Sequence, residues 1–266
     1  MTFDRFLQEA CPGLGLVWRK YRRRSSRHRV DARLLELGLE GYRDYLERIR
    51  SDAQEAALLP DLMRVTVSRF FREQKQWLEL KDHVLPELIA TISGVRPLSI
   101  WSAGCCGGEE PFTLALLWLE YIRPFHPGWS VEILATDIDE ASLERARRSL
   151  YRWETLREVP DEIRTRWFSQ ANALWRLDGK ATALVRFGKR NLLTDPPPRG
   201  MDLTLCRYLA FTYFKGERLR VSLLRLWESL RPGGVLMVGE KEVLPASVLE
   251  YFEPMPGSRV FYRRIG

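Results

Sequence analysis

The chain has 266 residues, 45% hydrophobic and 29% charged, with a formal net charge of +7. That is a globular composition, enough for one large domain or a core domain with a smaller companion, and no stretch nears the ~18 consecutive apolar residues of a membrane span. The start, MTFDRFLQEA, lacks the cationic lead and apolar core of a secretory signal, and four cysteines beside three histidines show no zinc-type spacing, so a reduced cytoplasmic protein without a metal is expected.

The first eighty residues read as helices. Trp18 to Arg33, WRKYRRRSSRHRVDAR, is the densest positive block and holds almost no acid before Asp31. Such a run is either a face for an anionic partner (nucleic acid, an acidic protein surface, a membrane) or a solvated helix face. Leu34, Leu35 and Leu37, then Tyr42, Tyr45, Leu46 and Ile49, recur at helical spacing, with Gly38 and Gly41 marking a helix end and a turn. Helical character continues towards Ile92 with a break at Val65 to Ser68. A helical N-terminal domain over residues 1–80 is expected.

Beyond Pro97 the pattern changes. LSIWSAG, VEILATDID, LVRFGKRN, MDLTLCRYL and GVLMVGEK are short apolar runs. Helical stretches at Pro111–Tyr121, Glu140–Leu150 and Gly216–Leu230 separate several of them. Strands apolar along their length and alternating with helices predict a mainly parallel sheet covered on both faces, an α/β domain over 81–266. Trp167 to Asn191 reads differently: ALWRLDGKATALVRF predicts two strands joined at Asp178-Gly179, a small antiparallel insertion over about 167–190. The ending, GSRVFYRRIG, predicts an edge strand antiparallel on the main sheet.

The first of these strands runs into Gly104, Gly107 and Gly108 and then into adjacent acids, Glu109 and Glu110. Ligands of open α/β sheets sit beyond the carboxyl ends of the strands, where glycines let them approach the backbone. Neither the dinucleotide glycine spacing nor a phosphate-loop lysine is present. Two carboxylates would repel a diphosphate and welcome a positive centre. A cationic cofactor such as S-adenosylmethionine is therefore expected, with Glu109 as its ligand; both acids also suit the helix dipole, and Glu110 need do no more than that.

The second strand ends in ATDID. Asp137 suits the ribose hydroxyls of an adenosine, and Asp139 is the helix-capping alternative. Asn191 and Leu192, closing a third strand-like run, suit an adenine edge and ring; taken alone, Asn191 reads first as a turn residue.

Together, WSAGCCGGEEPFTLAL, ILATDIDEASLERARRSLY, FGKRNLL and LCRYLAFTYF resemble the CheR-type methyltransferases, which transfer methyl groups from S-adenosylmethionine to receptor glutamates. LLELGLEGYRDYLERI and VTVSRFFRE resemble that family's N-terminal helical part, so the likeness spans nearly the whole chain in order. The resemblance implies a Rossmann-like class I methyltransferase domain with a small antiparallel β-subdomain inserted, preceded by an all-α domain. By position it implies Arg72 and Tyr213 as catalytic residues. It implies a cofactor set of Thr66, Ser68, Arg72, Gly104, Glu109, Asp137, Asn191, Leu192, Arg207 and Tyr208, with S-adenosylhomocysteine as product. Thr66 stands where the family has Asn, and Tyr208 where it has Asn. The stretch to Tyr213 is one residue longer, and VGEKEVL replaces the family's GHSE. These departures fall on the substrate side.

The resemblance thus predicts protein-glutamate carboxyl O-methylation, with the basic segment Arg19 to Arg33 facing an acidic protein surface or a receptor-like helical bundle. A methyltransferase acting on a small molecule or RNA is the alternative, supported by the altered CRYLAFTYF and the basic block. A cofactor- or partner-binding module without transfer activity is the third.

Overall fold

A computed structural model describes residues 1–92 and 96–266. The residues fall into two units, one of Met1–Thr66 with Tyr208–Ser222, the other of Val67–Arg207 with Leu223–Gly266.

The first unit is helical. Thr2 caps α1 (Phe3–Gly13) by accepting the Arg5 N–H, and Asp52 caps α4 (Ala53–Leu62) by accepting those of Gln54 and Glu55. Between them lie α2 (Arg24–Glu36), ended at Gly38 with φ +65°, and α3 (Tyr42–Ser51). One apolar core forms from Phe6, Leu7, Leu16, Val30, Tyr45, Leu59 and Met63, with Phe6 stacked on Tyr42 and Tyr45. The short α11 (Ala210–Tyr213) belongs to this unit: Val17 donates to the Tyr213 carbonyl, and Lys215 to that of Gly15.

The second unit begins with α5 (Gln74–Glu79), continued through a π-helical turn into α6 (Leu85–Thr91). Its sheet contains β1 (Leu98–Ala103), β2 (Val131–Asp137), β6 (Val185–Lys189), β7 (Met201–Leu205), β8 (Leu230–Met237), β9 (Phe252–Pro254) and β10 (Phe261–Arg264) in the order β6-β2-β1-β7-β8-β10-β9. The first five run parallel; β10 is antiparallel to β8, and β9 to β10. All but Ser99 in β1 are buried, as a central parallel strand requires. The helices α7 (Glu109–Leu117), α8 (Glu140–Arg148) and α12 (Gly216–Ser229) follow β1, β2 and β7. The chain leaves β1 towards β2 and β6, then returns to β7 on the other side, so a switch point opens beyond the carboxyl ends of β1 and β7. This is the expected Rossmann-like α/β architecture.

A second, three-stranded antiparallel sheet, β3-β5-β4, joins β3 (Leu150–Tyr151), β5 (Leu174–Leu177) and β4 (Phe168–Ala171). Its hairpin does not turn at Asp178-Gly179. The turn lies at Asn172-Ala173, with Asn172 at φ +56°, and Asp178 instead caps the one-turn α10 (Gly179–Thr182) by accepting the Lys180 N–H. Val185–Lys189 pairs parallel with β2 in the main sheet. The terminal strand is antiparallel as expected, but it is not the edge: β9 lies outside it. Among the described residues no helix is long and apolar enough to cross a membrane, and no cluster of His, Cys, Asp and Glu is placed to hold a metal.

Candidate functional site

The turn after β1 is tied to the end of β2. The N–H groups of Gly104 and Cys105 both donate to the Thr136 carbonyl, at 2.8 and 3.0 Å, and that of Cys106 donates to Asp137 Oδ2 at 2.9 Å. Gly104 and Gly108 hold φ of +80° and +87°. A Cβ on Gly108 would lie 3.0 to 3.1 Å from Ala146, Phe112 and Phe187, so any side chain there must displace them and bear a left-handed φ.

Glu109 opens α7 and is 7% exposed. Its Oε2 is buried without a hydrogen-bond partner. Burial pushes its carboxyl up to about 7, opposed by its own N–H, the Arg145 charge and the Gly107 N–H. That rise from 4.5 corresponds to about 3 kcal/mol at ~1.4 kcal/mol per unit. A unit cation ~4 Å away gains about 4 kcal/mol at an effective dielectric of ~20, enough to restore the carboxylate. A phosphate there would add to the penalty. The orphaned oxygen and the glycine cradle therefore fit the ammonium and sulfonium groups of S-adenosylmethionine and disfavour a dinucleotide.

Asp137, 7% exposed, accepts the N–H groups of Cys106 and Asp139, both at 2.9 Å. A carboxylate offers about four acceptor positions, which suits it chemically to hydroxyl donors. Asp139 is the capping residue, accepting the Ser142 N–H at 3.0 Å. The Arg190 N–H donates to the Asp137 carbonyl, which ties the start of the following turn to the end of β2. There Asn191 Oδ1 accepts the Leu193 N–H and the Asn191 N–H donates to Asp195, an Asx turn. Asn191 is thus a turn residue whose side-chain carbonyl is taken up locally. It and Leu192 are half-buried at the strand ends.

Arg72 is half-buried, between Phe71 at φ +52° and Glu73 at φ +65°. Two non-glycine left-handed residues, one on each side of it, mark an over-determined loop. Burial raises the Glu110 carboxyl; Arg207 and the Ser102 hydroxyl partly offset that rise, and the Arg72 charge adds a smaller share. Ser68 is half-buried in the irregular segment before Arg72.

Sequence reasoning gave Glu110 a helix-dipole role only. In the structure its Oε1 accepts the Ser102 hydroxyl at 2.8 Å and its Oε2 the Arg207 Nη1 at 3.3 Å. Glu73 accepts Arg207 Nη2 at 2.8 Å. No spacing rule connects residues 97 or 134 positions apart.

Gly104, Glu109, Asp137, Asn191, Leu192, Ser68, Arg72 and Arg207 all belong to the second unit. Thr66, Tyr208 and Tyr213 belong to the first. Thr66 is half-buried, Tyr208 has φ +57°, and the Tyr213 ring lies 5.2 Å from that of Tyr21.

A family model described as CheR methyltransferase, SAM binding domain, matches residues 66–261. The chain is 31% identical over 229 residues to a chemotaxis protein methyltransferase of Listeria monocytogenes, covering 86% of this chain and 85% of that protein. It is 33% identical over 233 residues to a probable chemotaxis protein methyltransferase of Rhizobium etli, covering 85% and 86%. With chemotaxis protein methyltransferase 1 of Pseudomonas aeruginosa it shares 30% over 252 residues, 91% of this chain and 89% of that one.

Proposed function

The chain belongs to the CheR methyltransferase family and is an S-adenosylmethionine-dependent methyltransferase, and we propose that its acceptor is the carboxylate of a protein glutamate on a chemoreceptor-type helical bundle. The single observation that carries this reading is the similarity, over more than four-fifths of both chains, to proteins named chemotaxis protein methyltransferases.

When bound, S-adenosylmethionine supplies an electrophilic methyl group on a sulfonium. A glutamate acceptor, with an ordinary pKa of ~4.3, is already ionised near neutrality, so the chain need supply no general base. Its work is alignment and exclusion of water. Glu109 would hold the cofactor's ammonium, Asp137 its ribose hydroxyls, and Asn191 with Leu192 its adenine. Arg72, whose planar fork matches a carboxylate, would hold the acceptor.

The basic segment would meet the acceptor protein. Two of its arginines serve the fold: Arg33 pairs with buried Glu55 at 2.7 Å, and Arg29 donates to the Leu62 carbonyl at 2.6 Å and to that of Arg64. Arg19, Lys20, Arg22, Arg23, Arg24 and Arg27 are exposed. Arg22 pairs with Asp4 at 2.6 Å and Arg27 with Asp31 at 3.6 Å, and the others would offer their charge to an acidic surface.

Mass spectrometry of proteins from cells with and without this chain tests the reading. Methyl-glutamate that disappears with the chain is the expected result. A methyl-glutamate profile unchanged by its loss would overturn it.

A further inference from the structure

Arg207 follows β7 with its side chain 4% exposed. Its Nη2 donates to the Arg72 carbonyl and to Glu73 Oε2, each at 2.8 Å, and its Nη1 to Glu110 Oε2 at 3.3 Å. The guanidinium lies 4.9 Å from the centre of the Trp77 ring, whose Nε1–H donates to the same Arg72 carbonyl at 2.8 Å. Its Nε is buried and unbonded, so its polar contacts lie on the Nη side.

We propose that Arg207 is a positioning residue, which fixes the Arg72 loop against the start of α7 through Glu73 and Glu110 and acts on bound cofactor only through Arg72. This rests on the reading of Arg72 as a residue beside the cofactor and acceptor.

Three observations carry it. The loop is held on both sides of Arg72: the Phe71 N–H donates to Thr113 Oγ1 at 3.1 Å, and Glu73 Oε2 accepts both Arg207 and the Glu240 N–H. Left-handed non-glycine residues persist only under such over-determination. Thr113 in turn donates to the Glu109 carbonyl at 2.7 Å, so the loop is referenced to the residue opening α7. Finally, the charges balance as a set. Two mostly buried carboxylates, Glu73 and Glu110, face Arg207, and Arg72 adds its charge beside Glu110. Removing Arg207 takes the guanidinium from two mostly buried carboxylates at once. A planar fork reaches both acids at once, and an ammonium does not.

The test is a double-variant cycle on the full chain. S-adenosylhomocysteine affinity is measured by calorimetry for wild type, Arg72→Ala, Arg207→Lys and the pair. Each single change should weaken binding about tenfold, the scale of a lost hydrogen bond to a charged group, and the pair should be no weaker than the worse single. Losses that multiply, or a loss in Arg207→Lys with none in Arg72→Ala, overturn the proposal. In parallel, amide exchange over residues 70–77 should quicken about tenfold in Arg207→Lys and in Glu73→Gln, while β1 stays protected. Unchanged exchange there overturns it too. If Arg207→Lys does not fold, the isosteric Glu73→Gln replaces it in the cycle. A wild-type protein that ignores S-adenosylhomocysteine overturns the cofactor reading instead, and the exchange result then judges the positioning role alone.

Discussion

The carboxylate of Glu109 folds back over Gly107: a Cβ at that glycine would stand 2.9 Å from Oε1 and 3.0 Å from Oε2. The missing side chain at 107 is what lets a buried acid lie over the glycine turn.

Gly107→Ala should therefore displace the Glu109 carboxylate and spare the backbone. S-adenosylhomocysteine affinity should fall about tenfold with little change in melting temperature. Gly108→Ala should do the reverse in emphasis. It meets a left-handed φ together with Ala146, Phe112 and Phe187, and should cost about 1–3 kcal/mol in urea unfolding.

Ligand affinity should depend on pH through Glu109. Its carboxyl is pushed up to about 7 by burial, and only the ionised form pairs with an ammonium. Below about pH 7 affinity should fall about tenfold per pH unit, levelling off above it. In the empty protein the sign is opposite. A carboxyl raised above its unfolded value of 4.5 gives stability fully present below that value and lost as pH rises through about 7. Against Glu109→Gln, the wild type should thus lose up to about 3 kcal/mol between about pH 5 and about pH 8. The glutamine variant should be the more stable at alkaline pH and the weaker binder, measured by melting and calorimetry.

Asp137→Asn should damage binding and fold together. Both carboxylate oxygens accept backbone N–H groups, those of Cys106 and Asp139. An amide must turn its NH2 towards one of those donors. A stability loss of about 1–2 kcal/mol and at least about tenfold weaker S-adenosylhomocysteine binding are expected. Unchanged affinity in calorimetry would remove Asp137 from the site.

The basic block should split into two behaviours. Arg33→Ala strands Glu55, which is 5% exposed and otherwise hydrogen-bonded by Tyr45, and should cost about 2 kcal/mol in urea unfolding. Alanine at Arg19 and Arg24, which face solvent, should leave the melting temperature in place and slow association with an acidic acceptor protein at low salt.

Much of the parallel sheet was legible because buried strands are apolar along their length, as in Leu98–Ala103, and because glycines cluster where β1 ends. The hairpin was misplaced because Asp-Gly is a strong turn pair, yet here Asp178 caps a helical turn while the less distinctive Asn172-Ala173 reverses the chain. Phe252–Pro254 is short and interrupted by Glu253, so β9 leaves no period to read and the sequence alone makes β10 the edge. The return of Tyr208–Ser222 to the helical unit, like the Glu73–Arg207–Glu110 set, depends on contacts distant in the chain. Local spacing carries no trace of them.

Glutamate carboxyl methylation is tested most directly by incubating the purified protein with methyl-labelled S-adenosylmethionine and a lysate from cells lacking it. Protein-bound label released as volatile methanol by mild alkali is the predicted outcome, since carboxyl esters hydrolyse there. Alkali-stable label, confined to RNA or small molecules, would contradict it.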